Sequence, residues 1–379
     1  MKRRVSIRLR VQRTLCIAFL AVLGLIISCD LDRPTQPQPP PPPPVDNGYN
    51  FYVLLRSYSP SPYASRVYIF NTKQMTYVNS ILYSDPYDYD DIEVSPDEKY
   101  LTLSTVSDPT GNITILDLAT RQPILTYANT HGDIEFSPNG KYLVIQGNIP
   151  HWYLDASTLD TVAIDSGAGG GGAWDSTGNI FCSLRRRNDT CYIRRFDVSI
   201  QASLPEVAFI DTLFPADRVV RLQTTADPNK IFLYMFYGFN TSRVVSYTLS
   251  DSTIEFSRFI VSENTEFAVT PDWKTVLFSD PANMINSGSM NIYVADAHSD
   301  QLETIILVPV PQSNQFDSNA IFMNPNQIAV SPDGKYAMVG GLDAAWHGII
   351  SIEERKYVAF MKPSWLDGFP WRVASWSIP

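Results

Sequence analysis

One phrase returns along this chain, and it decides what the chain can fold into. It reads Asp91-Ile-Glu-Val-Ser-Pro-Asp-Glu-Lys-Tyr-Leu, then Asp133-Ile-Glu-Phe-Ser-Pro-Asn-Gly-Lys-Tyr-Leu, and later Gln327-Ile-Ala-Val-Ser-Pro-Asp-Gly-Lys-Tyr-Ala. Self-similarity at a spacing of roughly 40 to 60 residues marks a repeat architecture. Within each copy an apolar strand runs into Ser-Pro-Asp-Gly, where proline presets φ and glycine supplies a positive φ. A second strand follows, such as Tyr100-Leu-Thr-Leu-Ser, and after a loop a third and a fourth, as in Asn112-Ile-Thr-Ile-Leu-Asp-Leu-Ala-Thr-Arg-Gln-Pro-Ile-Leu. From Tyr49 onward no stretch carries a helical period, and short runs of Val, Ile, Tyr and Phe alternate with turn residues. That is the pattern of an all-β protein.

Weaker copies begin near Gly172, Leu222 and Glu266. Trp371-Arg-Val-Ala-Ser-Trp-Ser reads as an inner strand with nothing after it, while Phe51-Tyr-Val-Leu-Leu and Arg66-Val-Tyr-Ile-Phe-Asn-Thr read as strands with no inner strand before them. The two ends together make one unit and close a ring. Inner strands near Ile92, Ile134, Ala173, Leu222, Phe267, Ile328 and Val373 predict a seven-bladed β-propeller over residues 49–379, with six or eight as the range. The Ser331 to Tyr336 phrase resembles that of WD40-like, YVTN-type and TolB-type propeller repeats. The resemblance implies architecture; propellers host many activities.

The N-terminus reads as a targeting segment, residues 1–28. Lys2, Arg3, Arg4, Arg8, Arg10 and Arg13 precede an apolar run from Leu15 to Ile27 that is short for a bilayer span. Its end, Leu25-Ile-Ile-Ser-Cys29, resembles the lipobox of bacterial lipoproteins, which implies cleavage before Cys29 and acylation of its thiol. An ordinary signal peptide or short anchor is the alternative. Asp30 resembles an inner-membrane retention signal, and both the periplasmic face of the inner membrane and the outer membrane stay open. Residues 29–48 form a linker whose prolines, Pro34 to Pro44, predict an extended polyproline II spacer.

Charge narrows the partners. Subtracting the six basic residues before Cys29 from the total of −10 leaves −16 for the mature chain. Such a domain is a poor ligand for nucleic acid or anionic lipid head groups. No cofactor signature is visible, and the ring is expected to be a monomer. Of the cysteines, Cys182 and Cys191 remain after the leader and the acylation site, on two strand-like runs flanking a polar turn. An oxidising envelope allows a disulfide between them across a hairpin.

Propellers bind through loops at one channel mouth, which nominates Asp91, His131, Asp133, Arg221, Glu266, Trp346, His347, Trp371 and Arg372 as a binding face. Glu93 and Glu135 occupy one repeat position, where other copies have Ala268 and Ala329. On neighbouring blades they would need a shared proton or a cation, unless they are simply two solvated acids in a watery channel, the expectation taken here. No residues match a catalytic motif. The reading is a lipid-anchored envelope module that binds a protein, peptide or glycan, with a lactonase-like or quinoprotein-dehydrogenase-like enzyme as the alternative.

Overall fold

The computed structural model describes residues 48–56, 64–84, 89, 91–105, 111–128, 132–146, 150–167, 171–187, 190–209, 219–225, 227, 229–236, 242–260, 267–280, 289–296, 302–309, 327–341, 346–361 and 369–375. The expected leader, Cys29 and the proline-rich linker lie outside these residues, which begin at Gly48.

They form seven antiparallel sheets, each a blade of a β-propeller. The first blade pairs the C-terminal strand β29 (Phe369–Ser375) with β1 (Asn50–Arg56), followed by β2 (Ala64–Asn71) and β3 (Thr76–Ser84). Val373 lies opposite Val53 and Ala374 opposite Tyr52, so the two ends of the chain share one sheet, as the split repeat predicted. Blade 2 runs outward through β4 (Asp91–Val94), β5 (Tyr100–Ser104), β6 (Asn112–Asp117) and β7 (Gln122–Ala128). Blade 3 holds β8 (Asp133–Phe136), β9 (Tyr142–Gln146), β10 (His151–Asp155) and β11 (Thr161–Asp165).

Blade 4 is built from β12 (Gly172–Trp174), β13 (Ile180–Arg187) and β14 (Thr190–Asp197), with two short outer strands, β15 (Ala202–Ser203) and β16 (Val207–Phe209), both pairing with β14. Blade 5 contains β17 (Val219–Thr224), β18 (Lys230–Phe236), β19 (Ser242–Thr248) and β20 (Thr253–Ile260). Blade 6 contains β21 (Phe267–Val269), β22 (Thr275–Asp280), β23 (Ser289–Asp296) and β24 (Leu302–Pro309). Blade 7 contains β25 (Gln327–Val330), β26 (Tyr336–Gly341), β27 (Trp346–Ser351) and β28 (Lys356–Met361).

The repeated phrase owes its form to one hydroxyl. Ser95 Oγ donates to Asp97 Oδ1 at 2.7 Å and accepts the Tyr100 amide at 2.8 Å, so a single side chain closes the turn and starts the next strand. Ser137 with Asn139 and Tyr142, and Ser331 with Asp333 and Tyr336, repeat the arrangement. In blade 4 an aspartate substitutes: Asp175 accepts from Thr177 Oγ1 and from the Ile180 amide. Gly140, Gly178 and Gly334 take the left-handed φ at the turn (68°, 68° and 70°), while Glu98 and Trp273 adopt it without glycine, at 52° and 59°. Such a residue is held there at a cost of roughly 1–2 kcal/mol, offset by the closed turn around it.

The core lies between blades. Successive residues of each strand point to opposite sheet faces, so Ile92 and Val94 pack on Tyr52 and Leu54 of blade 1, while Ile134 and Phe136 pack on Ile113 and Ile115 of blade 2. Second strands are covered on both faces, as in β5, which is buried throughout. Fourth strands are exposed edges; β7 carries Pro123, which has no N–H to offer another chain.

Candidate channel-mouth site

Antiparallel order sets the geometry of the mouth. The first residue of each inner strand, the end of the second, the start of the third and the end of the fourth share one face of the ring, and the Ser-Pro-Asp-Gly turns occupy the other. Asp91 and Asp133 begin β4 and β8, the inner strands of neighbouring blades, with Glu93 and Glu135 two residues deeper on the same strand faces. Tracing the ladders around the ring, the register position of Glu93 is held by Glu135, Ala173, Gln223, Ala268, Ala329 and Ala374. Alanine suits a place where inner strands converge. The two glutamates are departures from it, side by side.

Both are half-buried against inner-strand backbone. The Glu135 carboxyl accepts the Trp174 amide of blade 4 at 3.4 Å, and its carbonyl accepts the Trp174 indole N–H at 3.1 Å. Burial pushes the Glu135 carboxyl up to about 8, against the Trp174 amide, with Asp133 and Asp91 adding to the rise. Burial also drives Glu93 well above the usual carboxylate range, reinforced by the charges of Glu135 and Asp91. Desolvation and like charge both favour the neutral acid. The expectation of two freely solvated acids is therefore corrected: the channel wall takes them partly out of water, and both carboxyls are shifted towards their neutral forms. Among the described residues no three His, Cys, Asp or Glu side chains are arranged to hold a metal ion.

The other expected mouth residues fare differently. His131 and Glu266 lie outside the described residues. Arg221, Trp346, Trp371 and Arg372 are placed as backbone in β17, β27 and β29; Trp371 is the extra residue where the register with β1 shifts. His347 is a correction: it is in the core, 1 % exposed, rather than on the binding face. Following the ladders shows why. His347 and His151 occupy one third-strand position, filled in the other blades by Val67, Ile113, Ile193, Val244 and Ile292, all buried. Burial lowers the His347 imidazole to about 3, and its Nδ1 has no hydrogen-bond partner. His151, also fully buried, meets the Phe181 ring edge-on at 5.8 Å.

The expected Cys182–Cys191 disulfide is also corrected. Cys182 sits opposite Arg195 and Cys191 opposite Arg186, so four residues of ladder, about 13 Å, separate them. A disulfide needs Cα atoms within roughly 7 Å. Neither cysteine is in a disulfide and both are buried, and burial pushes the Cys182 thiol up to about 12.

What the sequence left unseen is an ion-pair cluster on blade 4. Arg194 grips Asp165 of blade 3 with Nε to Oδ2 at 2.8 Å and Nη2 to Oδ1 at 2.6 Å, and reaches Glu206 with Nη1 at 3.1 Å. The Asp165 side chain is 3 % exposed. Its bonds to the guanidinium hold Arg194 above the ordinary arginine value.

No family model matches the chain, and no curated protein does. Solved structures share the fold. A candidate 6-phosphogluconolactonase from Bacteroides uniformis superposes with a TM-score of 0.60 at 12 % identity, over 87 % of this chain and 99 % of that one. A protein of unknown function from Desulfotomaculum acetoxidans gives 0.59 at 15 % identity, over 88 % and 100 %. The β-propeller domain of Cps50 (Swd1) from Myceliophthora thermophila gives 0.53 at 13 %, over 72 % and 86 %. At these identities the likeness is one of fold.

Proposed function

We propose that the chain is a lipid-anchored envelope protein whose propeller is a binding module, taking a protein or peptide at the mouth where Asp91, Glu93, Asp133 and Glu135 meet. The carrying observation is the pair of glutamates on adjacent inner strands, in a register position otherwise filled by alanine and glutamine, with both carboxyls shifted towards the neutral form by burial. Neutral carboxyls donate as well as accept hydrogen bonds, which suits polar backbone or side-chain groups of a bound segment. The acidic total of the mature chain favours a partner with basic residues. The Leu25–Cys29 motif and the proline run support a domain tethered by acylated Cys29 and held away from the membrane by a stiff spacer. Fatty-acid labelling of cells carrying the wild-type chain or Cys29→Ser tests the anchor: the label and the membrane fraction should both be lost in the variant. A photo-crosslinking residue at Asp133 tests the mouth.

The second reading is hydrolysis. A glutamic acid raised to about 8 suits general acid–base work near neutral pH, and the Bacteroides uniformis protein of the same fold is a candidate 6-phosphogluconolactonase. Lactone turnover abolished by Glu135→Gln would favour that reading over the binding module.

A further inference from the structure

Blade 4 departs from the other blades at its outer edge. β15 pairs with Phe196 and Asp197, β16 with Cys191 to Ile193, and between them Pro205 and Glu206 leave both ladders. The break turns Glu206 back onto the blade, where its carboxylate meets three guanidinium groups: Arg194 Nη1 at 3.1 Å, Arg185 Nη1 at 3.5 Å and Arg187 Nη1 at 3.2 Å.

The three arginines are not equivalent. Arg194 is 12 % exposed and makes four hydrogen bonds, two to Asp165, one to Ser203 Oγ at 2.7 Å and one to Glu206. Arg185 and Arg187 stand two residues apart on one face of β13, at the channel-mouth end of the blade, and are 31 % and 47 % exposed. Arg187 also lies over the Tyr192 ring, 5.6 Å from its centroid. A guanidinium carries five N–H donors in a rigid fork matched to carboxylate oxygens, and one carboxylate does not use up two such forks. Three arginines against two acids leave a surplus positive charge on a chain that is otherwise strongly acidic.

We propose that Arg185 and Arg187 form a binding site for a carboxylate side chain of an acidic peptide segment, with Glu206 as the built-in occupant that this carboxylate replaces. The site is already shaped around a carboxylate, and the residue filling it sits on a stretch free of ladder hydrogen bonds. When the ligand engages the two exposed forks, Glu206 keeps Arg194 as its counter-ion, so no charge is left buried and alone. The proposal rests on reading the propeller as a binding module and adds a second, basic contact beside the acidic mouth.

The test uses the full chain in detergent, a terminally blocked Gly-Glu-Glu-Gly peptide as probe, and its Gly-Gln-Gln-Gly counterpart and inorganic phosphate as comparisons, all at fixed ionic strength. The acidic peptide is expected to bind saturably and at least about tenfold more tightly than either comparison. Glu206→Gln should tighten it roughly tenfold by removing the resident competitor, and Arg185→Gln/Arg187→Gln, which leaves Arg194 and Asp165 untouched, should abolish it. No saturable binding to wild type and Glu206→Gln alike, equal binding to the double arginine variant, or equal binding of the glutamine peptide or phosphate would overturn the proposal. Mouth crosslinks at Asp133 persisting beside such a result would leave the binding-module reading standing and remove this site alone.

Discussion

Replacing Arg194 by alanine is the most decisive perturbation of the blade 3–blade 4 seam. Arg194 holds Asp165 through two bonds of 2.8 and 2.6 Å, and the Asp165 side chain is 3 % exposed. Losing the guanidinium leaves that carboxylate, among the described residues, with the Gly167 amide at 3.0 Å as its hydrogen-bond donor. Breaking a buried pair from one side costs about 3–5 kcal/mol, because an uncompensated charge stays in a poorly solvated place. For a domain of this size each kcal/mol moves Tm by about 2 °C, so a drop of roughly 6–10 °C is expected, with a matching fall in the urea midpoint and an unchanged m-value. The double variant Arg194→Ala/Asp165→Ala should recover part of the loss, since it removes the orphaned charge together with its partner. Adding 0.5 M salt should change the single variant's deficit little, because the pair is shielded from solvent ions. A deficit under about 1 kcal/mol for Arg194→Ala, or a double variant worse than the sum of the singles, would show that the Asp165–Arg194 pair does not hold this seam.

Other expectations concern protons, turns and thiols. Glu135, raised to about 8 from an ordinary 4.5, contributes stability that is full below pH 4.5 and lost as pH rises through 8, so Glu135→Gln should stabilise the fold at pH 8–9 by on the order of 2–3 kcal/mol and flatten that limb of a Tm–pH curve. His347, lowered to about 3 from 6.5, has the opposite sign: its stability is present above pH 6.5 and lost as pH falls towards 3, and His347→Val, copying Val67 and Val244, should remove that acid loss. Ser331→Ala removes the hydroxyl that joins Asp333 to the Tyr336 amide and should cost about 1–2 kcal/mol by chemical denaturation. Cys182 and Cys191 should react with a thiol reagent only after denaturation, and mass analysis of the native protein should find no disulfide between them.

The fold was legible because its signal is local and repeated. The Ser-Pro-Asp-Gly phrase works through one hydroxyl and one left-handed residue, both visible in the residue string. The split first blade followed from an unmatched strand at each end. The pairing of Glu93 with Glu135 was legible for the same reason: equal places in successive repeats become neighbours on the ring. What escaped depended on register, which one extra residue resets. His347 looked like a loop histidine until the ladder placed it with Val67, Ile113 and their counterparts. The Cys182–Cys191 hairpin was anticipated, but its pairing set each thiol against an arginine. The Asp165–Arg194–Glu206 cluster brings together residues 29 and 12 apart in sequence through a break in an outer strand, and no periodicity announces such a break.

If the proposed acidic mouth of the ring is where this protein meets its partner, the two faces of the ring should crosslink differently. A photo-crosslinking residue placed at Asp133 on the mouth, and another at Ser157 in an exposed turn on the opposite face, compares the two faces in intact cells. One recurrent protein adduct is expected from Asp133, lost on competition with a basic peptide, and none from Ser157. Equal adducts from both faces, or none from Asp133 beside lactone turnover that needs Glu135, would contradict a partner site at the mouth.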